Sequence, residues 1–452
     1  MVLPARPLQA APVLSQAPPA SPPPASGPAP PASLPPAAAA SDSDADGNGD
    51  DGPPGLAARL GLPDWVQLSF SLTAQPMVNP GGGLVESAAW MQQISLGADL
   101  GRGLARPVQT WRELDHWVLH LHADAFSGEA LWNAQIGAVY PLQSTAHGQG
   151  IWIDEISLER RGGLGPLSLK AGIFSLDNLF LQAPVFSSYV HSAFNDTLNV
   201  SLSGWPISPL AAPGVGLKLR TSANSELHLG GFWLDPQIAI ASWLGVNPLV
   251  PDVRGQLYAV QWSSSVLPWL TPLSDAIQVR DRGVSVSIPR QLPAPLFQLG
   301  AVWGSVAIDR GQDIKAFETR LLGAGGNQTL YSTITLPLTL PIGLDHRIWL
   351  GGALDLDASR DASPSFLAGG WLAQGLLPGR PLDVLALGLG RAPFSPVLLP
   401  QLSAESMVEL NYNIHINDQV SVQPLMQWVI QPTGSGRIPG IFALGVQLQI
   451  QL

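Results

Sequence analysis

From Val66 onward the chain alternates. In Val66-Gln67-Leu68-Ser69-Phe70-Ser71-Leu72-Thr73 every even position is apolar and every odd one small or polar, the pattern of a strand with one dry face and one wet face. The same period returns in Leu167, Leu169, Ala171 and Ile173 against Ser168, Lys170 and Gly172, and in Val215, Leu217 and Leu219 against Gly216, Lys218 and Arg220. Further strands are predicted near 94–100, 116–125, 152–160, 226–233, 256–262, 296–303, 330–336, 347–356, 365–374 and 383–391. Towards the C-terminus Val408, Leu410, Tyr412, Ile414 and Ile416 alternate with Glu409, Asn411, Asn413 and His415. Val420, Val422, Met426, Trp428 and Ile430 then share a phase, and Phe442, Leu444, Val446, Leu448, Ile450 and Leu452 oppose Gly445, Gln447, Gln449 and Gln451. The last predicted strand runs to the final residue.

The character of the second face separates two architectures. In a soluble sandwich the apolar face is the core and the outer face is charged. Here the second face is largely Ser, Gly, Gln, Asn and Thr, as a water-filled lumen permits. The pattern predicts an all-β fold, a transmembrane antiparallel β-barrel with lipid outside. Dividing ~390 residues by ~24 per strand and connection gives about sixteen strands, inside the bacterial range. A barrel of that width can enclose an aqueous channel. Pro-rich connections fall near 175–212, 236–254, 263–293 and 392–402, and some of them are expected to fold inward and narrow the pore. Ala130–Gly137 reads as a short helical turn.

Residues 1–55 stand apart from the barrel domain, 56–452. Pro and Ala dominate through Ala40, and an acidic run follows from Ser41 to Asp51. With no apolar periodicity to offset its ordering entropy, the tract is expected to be disordered. Asp42 to Gly47 spells D-x-D-x-D-G, the first half of a calcium-binding loop. The twelfth position, where a bidentate acid belongs, is Pro53, so a solvated acidic linker is the better reading. The tract also lacks the basic and unbroken apolar regions of an export signal, and the expectation is that such a signal has been removed.

Composition sharpens this picture. Charged residues are 12% of the chain and apolar residues 46%, too few charges to cover a soluble surface comfortably. No run approaches the ~20 apolar residues of a spanning helix. The fifteen Trp suit membrane interfaces. A net charge of −11 excludes a nucleic-acid partner, which needs a basic footprint. The absence of cysteine is compatible with a periplasmic passage and equally with the cytosol.

Four stretches, Ile151–Arg161, Leu167–Phe194, Ala368–Arg391 and Ala404–Gly434, resemble in order and spacing the carbohydrate-selective porins of the OprB type. The resemblance covers most of the chain from about residue 64. It implies a sixteen-stranded outer-membrane porin, a constriction lined by charged residues, and passive diffusion of small hydrophilic solutes, sugars among them. Some relatives carry an N-terminal cell-wall-anchoring domain, where this chain has only its Pro/Ala tract; Leu452 also departs from the aromatic residue that commonly ends such barrels.

A passive pore needs a wet wall whose charges and hydrogen-bonding groups hold solute weakly enough to release it. Strand phase assigns Asp124, Glu155, Glu159, Lys170, Lys218, Arg220 and Glu409 to the inner face as pore-lining candidates. Lys170, mid-strand before the 175–212 connection, is the foremost. Arg160, Arg161, Arg320 and Arg391 lie near strand ends. His120, His122 and Asp124 share one face of a strand, but three such side chains spread over roughly 13 Å, so the expectation is a polar stripe and no metal. No cofactor is expected either. Catalysis finds no motif: there is no nucleophile elbow, and Gly323-Ala324-Gly325-Gly326 lacks the Lys-Ser/Thr ending of a phosphate loop. The expected partners are outer-membrane lipid and diffusing solutes. A homotrimer and a peptidoglycan contact through residues 1–55 are compatible with the pattern. The competing readings are a general ion and small-solute porin, an envelope-tethering barrel, and a soluble β-rich carbohydrate-binding module.

Overall fold

The structure, a computed structural model, describes residues 55–101, 117–161, 167–195, 198, 205–234, 255–267, 270, 272–281, 284–309, 320–324 and 328–452. The acidic run near residue 45 and the whole 236–254 connection lie outside them. A single helical turn, α1 (Leu56–Arg59), leads into β1 (Val66–Gly81) and β2 (Ser87–Leu100). After β3 (Trp117–Gly128) comes the short helix α2 (Asn133–Ile136), where a helical turn was expected, and then β4 (Gly150–Arg160) and β5 (Leu167–Phe174). The chain continues through β6 (Ala212–Ser222), β7 (Ser225–Leu234) and β8 (Gly255–Ser264). Next come β9 (Ala276–Asp281), β10 (Val284–Pro289), β11 (Leu296–Gly304), β12 (Val306–Asp309), β13 (Arg320–Ala324) and β14 (Gln328–Pro337). Last are β15 (Asp345–Asp355), β16 (Ser365–Gln374), β17 (Val384–Pro393), β18 (Ala404–Asn417), β19 (Val420–Ile430) and β20 (Ile441–Gln451).

Sixteen of these strands close into one antiparallel barrel, with β9–β10 and β12–β13 as separate hairpins. The first and last strands meet, Thr73 facing Gln449 and Ala74 facing Leu448. Leu452 still exchanges backbone hydrogen bonds with Phe70, at 2.9 and 3.2 Å. Closure leaves no exposed edge, the condition for placing sheet in hydrocarbon.

The alternation seen in the sequence separates the two faces. Leu96, Ile156, Leu229, Leu299, Ile348, Leu350, Leu367 and Leu389 are all exposed on the outside, as lipid-facing residues of a barrel must be. Aromatic rings mark both rims. Trp90, Trp233, Tyr258, Trp303 and Trp428 sit at the end opposite the chain termini, and Trp65 and Trp117 at the terminal end. The terminal end also carries the tightest turns, between β6 and β7 and between β18 and β19, which is the periplasmic habit of outer-membrane barrels.

The inner face is drier than its polar positions alone predict, because the 175–212 connection, one of those expected to turn inward, does so. Two connections, 129–149 and the described residues of 175–211, fold into the barrel and bury against its wall. Phe186, Tyr189, Phe194 and Tyr140 pack on Trp349, Phe366, Leu372 and Met407 of β15–β18. Phe180, Leu181, Trp205 and Ile207 pack on Phe232, Leu257, Val302 and Tyr331 of β7, β8, β11 and β14. Leu131, Ile136 and Leu142 meet Met77, Leu425, Val429 and Ile441 beside the closure. The barrel therefore has an apolar core inside it, built on the inner face between polar positions. Wall glycines accept this core: a Cβ at Gly388 would stand 2.7 Å from Tyr189 and 2.9 Å from Phe194.

Bulges interrupt the alternation at several places, and the one in β4 re-aims the lining. In β4 the register slips between His122 and Ala123, so Asp154 is an extra residue. Trp152, Asp154 and Glu155 are all buried. A bulge of this kind re-aims side chains, and it turns Trp152 and Asp154, which period two places outside, into the barrel.

Candidate channel lining

The inward segments are tied to the wall by buried carboxylates. Glu409 on β18 accepts the backbone N–H of Val190 at 2.9 Å and of His191 at 2.6 Å, and also the amides of Asn411 at 2.6 Å and Gln427 at 2.9 Å. Glu405, four residues earlier and on the same face, accepts from Val139 at 3.0 Å, Tyr140 at 3.2 Å and Thr433 at 2.8 Å. Hydrogen bonds to charged groups are roughly twice as strong as neutral ones. Neutral groups extend the attachment: Asn411 and Gln423 donate to Ser188 O at 2.9 and 3.0 Å, and Leu181 N–H donates to Gln261 at 2.9 Å. Gln75 accepts from Thr145 Oγ1 at 2.7 Å and donates to Ser144 at 2.8 Å.

Two titratable groups on the 175–211 segment respond to this burial. His191 is enclosed beside Phe194, their rings stacked at 5.5 Å. Burial lowers the imidazole from 6.5 to about 3, because the charged form has no solvent there. Burial likewise raises the Tyr189 phenol, which stays neutral, donates to Leu387 O at 3.1 Å and accepts from Trp349 Nε1 at 2.7 Å.

A second polar cluster spans β2 to β5. Lys170 Nζ lies 2.7 Å from Glu155 Oε1 and 5.7 Å from the centre of the Phe174 ring. Asn178 donates to the other Glu155 oxygen at 2.9 Å, and Ser157 donates to the first. Lys170 is thus engaged with the wall, and Glu155 links it to Asn178 at the start of the inward segment. Glu159 accepts from Ser168 at 2.8 Å and from Arg161 at 3.3 Å. Asp124 stands apart, accepting from Gln93 at 3.1 Å, so His120 and His122 do not share it. Their carboxylate is Asp99, directly across on β2. Asp154, the bulged residue, accepts from Ser208.

Lys218 and Arg220 lie on β6 with side chains 33% and 44% exposed, both paired to Glu226, at 3.2 and 3.9 Å. His228 approaches the same acid at 3.3 Å and Leu179 O at 2.6 Å. Of the candidates, the structure gathers Glu155, Glu159 and Lys170 in one cluster and Lys218 with Arg220 in another. It sets Glu409 and Asp124 elsewhere. Sequence reasoning passed over Asp99, Glu226 and Glu405, although the phase of Glu409 carries Glu405 with it. Near the terminal end, Arg347 is fully buried, bonded to Asp345 at 2.7 Å and to Pro293 O at 2.7 Å. Arg290 from the connection after β10 pairs with the same Asp345.

Among known proteins, residues 347–452 match the sequence model of the carbohydrate-selective porin, OprB family. These are β15 to β20. None of the curated proteins matches the chain. The high-pH structure of Pseudomonas putida OprB superposes with a TM-score of 0.69 at 16% identity, over 86% of this chain and 94% of that one. Its low-pH structure gives 0.52 at 12% identity, over 88% and 96%. At these identities the likeness is one of fold.

Proposed function

We propose that this chain, an outer-membrane porin whose last six strands match the carbohydrate-selective OprB family, passes small sugars by passive diffusion. The observation that supports the reading best is that match, read with a closed barrel that is apolar outside and polar on much of its inner wall. The bound segments present mostly apolar and uncharged side chains at the packed surface, Asp177 being a buried acid among them, so a neutral hydroxylated solute meets less desolvation cost there than an ion. Within the lining, solute contact is assigned to Lys218, Arg220 and Glu159, which keep water on part of their surface. Lys170, Glu155 and Glu409 act by holding the inward segment, and Asp124 by bracing the wall.

Liposome swelling tests this. Vesicles carrying the refolded chain are expected to swell in isotonic monosaccharide and more slowly in larger sugars. Equal rates for sugars and for salts of matching size identify a general porin instead, and no swelling in any solute removes the channel. Swapping both basic residues in Lys218→Gln/Arg220→Gln is expected to change sugar flux by several-fold while leaving the barrel folded.

A further inference from the structure

Two imidazoles converge on one carboxylate oxygen of the inner wall. Register places Asp99 opposite His120 and Gly97 opposite His122. His120 Nδ1 stands 2.6 Å and His122 Nε2 3.2 Å from the same atom, Asp99 Oδ1. The three donor atoms lie within 4.8 Å of one another. Gly97 makes the approach feasible: a Cβ there would meet His122 Cδ2 at 3.0 Å and Nε2 at 3.2 Å, pressing the ring away from Asp99.

The remaining ring nitrogens point to a ligand. His120 Nε2 is 3.0 Å from Glu159 Oε2, and His122 Nδ1 is 3.7 Å from Glu155 Oε2. Both carboxylates are themselves fixed, Glu159 by Ser168 and Arg161, Glu155 by Lys170 and Asn178. Histidines that bind metals direct one nitrogen at the ion and give the other to a carboxylate, which sets the tautomer and the ring orientation. Here His120 does this with Glu159, His122 lies with its other nitrogen facing Glu155 at 3.7 Å, and basic neighbours already balance the outer acids.

We propose that Asp99, His120 and His122 form a site for a divalent transition-metal ion of the zinc class on the channel wall. Bonds of about 2.0–2.2 Å in a tetrahedron set ligand atoms roughly 3.3 Å apart. His122 and Asp99 already stand at that spacing, and the closer His120–Asp99 pair opens by a small turn of the carboxylate. Two nitrogens and one oxygen suit zinc; calcium and magnesium call for oxygen ligands throughout. Asp99 and His122 keep 18% and 16% of their side chains exposed, which gives the fourth position to water. An ion so held is exchangeable with the lumen. The site stands independently of which solute the channel passes.

Isothermal titration of zinc into the full chain, folded in detergent, is the test. One zinc per chain is expected. His122→Gln should weaken it about 100-fold or more, and Glu159→Gln by about 10–100-fold, the usual loss for a supporting carboxylate. His415→Gln, a histidine on β18, should bind as the parent does, and magnesium should give no saturable heat. Heat-modifiable migration on gels verifies that each variant is a barrel; if His122→Gln does not fold, Asp99→Asn replaces it. No saturable zinc binding by the parent chain, or equal binding by the ligand variants, overturns the proposal.

Discussion

Glu409 holds the inward segment by its backbone, and its removal reports on that segment directly. Glu409→Ala leaves the amides of Val190 and His191 without their acceptor, each bond to a charged group being worth about 1.5–3 kcal/mol. The expected outcome is faster amide exchange across 188–195 and a larger unit conductance, with the barrel itself still folded. Exchange rates matching the parent protein would contradict the anchoring role. His191 adds a dependence on acid. Its folded value of about 3 lies below the ordinary 6.5, so protonation favours the released segment. The stability it lends is complete above about pH 6.5 and is lost as pH falls toward 3. Limited proteolysis of the 175–195 region should therefore quicken between those limits, and quicken less in His191→Phe, which stays neutral beside Phe194.

Strands were legible because each repeats a two-residue rule over its whole length, and lipid on one side leaves that rule little freedom. Val66–Thr73 and Phe442–Leu452 announce both edges of the closure without any knowledge of their pairing. Three features were hidden, each for a physical reason. The bulge at Asp154 is a change of register, and register belongs to a pair of strands. Asp99 and His120 meet for the same reason, since phase along one strand gives a face and not a neighbour. The inner core escaped because its wall members, such as Trp349 and Phe232, pass for ordinary apolar residues between lipid-facing ones, and only the segment that covers them shows their role. At this scale the packing makes a firm prediction. Gly388→Leu drives a side chain into Tyr189 and Phe194, and overpacking of this kind costs about 1–3 kcal/mol. The 185–195 region should lose its protection from protease while β17 keeps its pairing; an unaltered digestion pattern would show that the segment does not rest on this wall.

The whole molecule is a barrel turned to lipid by one face and partly filled through the other. Leu350, mid-strand on β15 and 55% exposed, tests the outer half of that statement: Leu350→Arg should lower stability in vesicles by about 2–4 kcal/mol, the depth-dependent cost of a cation in hydrocarbon, read from urea-dependent folding. A soluble module would tolerate the change at no measurable cost. The inner half rests on conduction. Stepwise single-channel current in a planar bilayer, compared between the parent chain and a deletion of 185–195, addresses it most directly. Discrete current steps that grow on deletion of the segment are predicted. A protein that folds and inserts but carries no steps in either form would contradict the account.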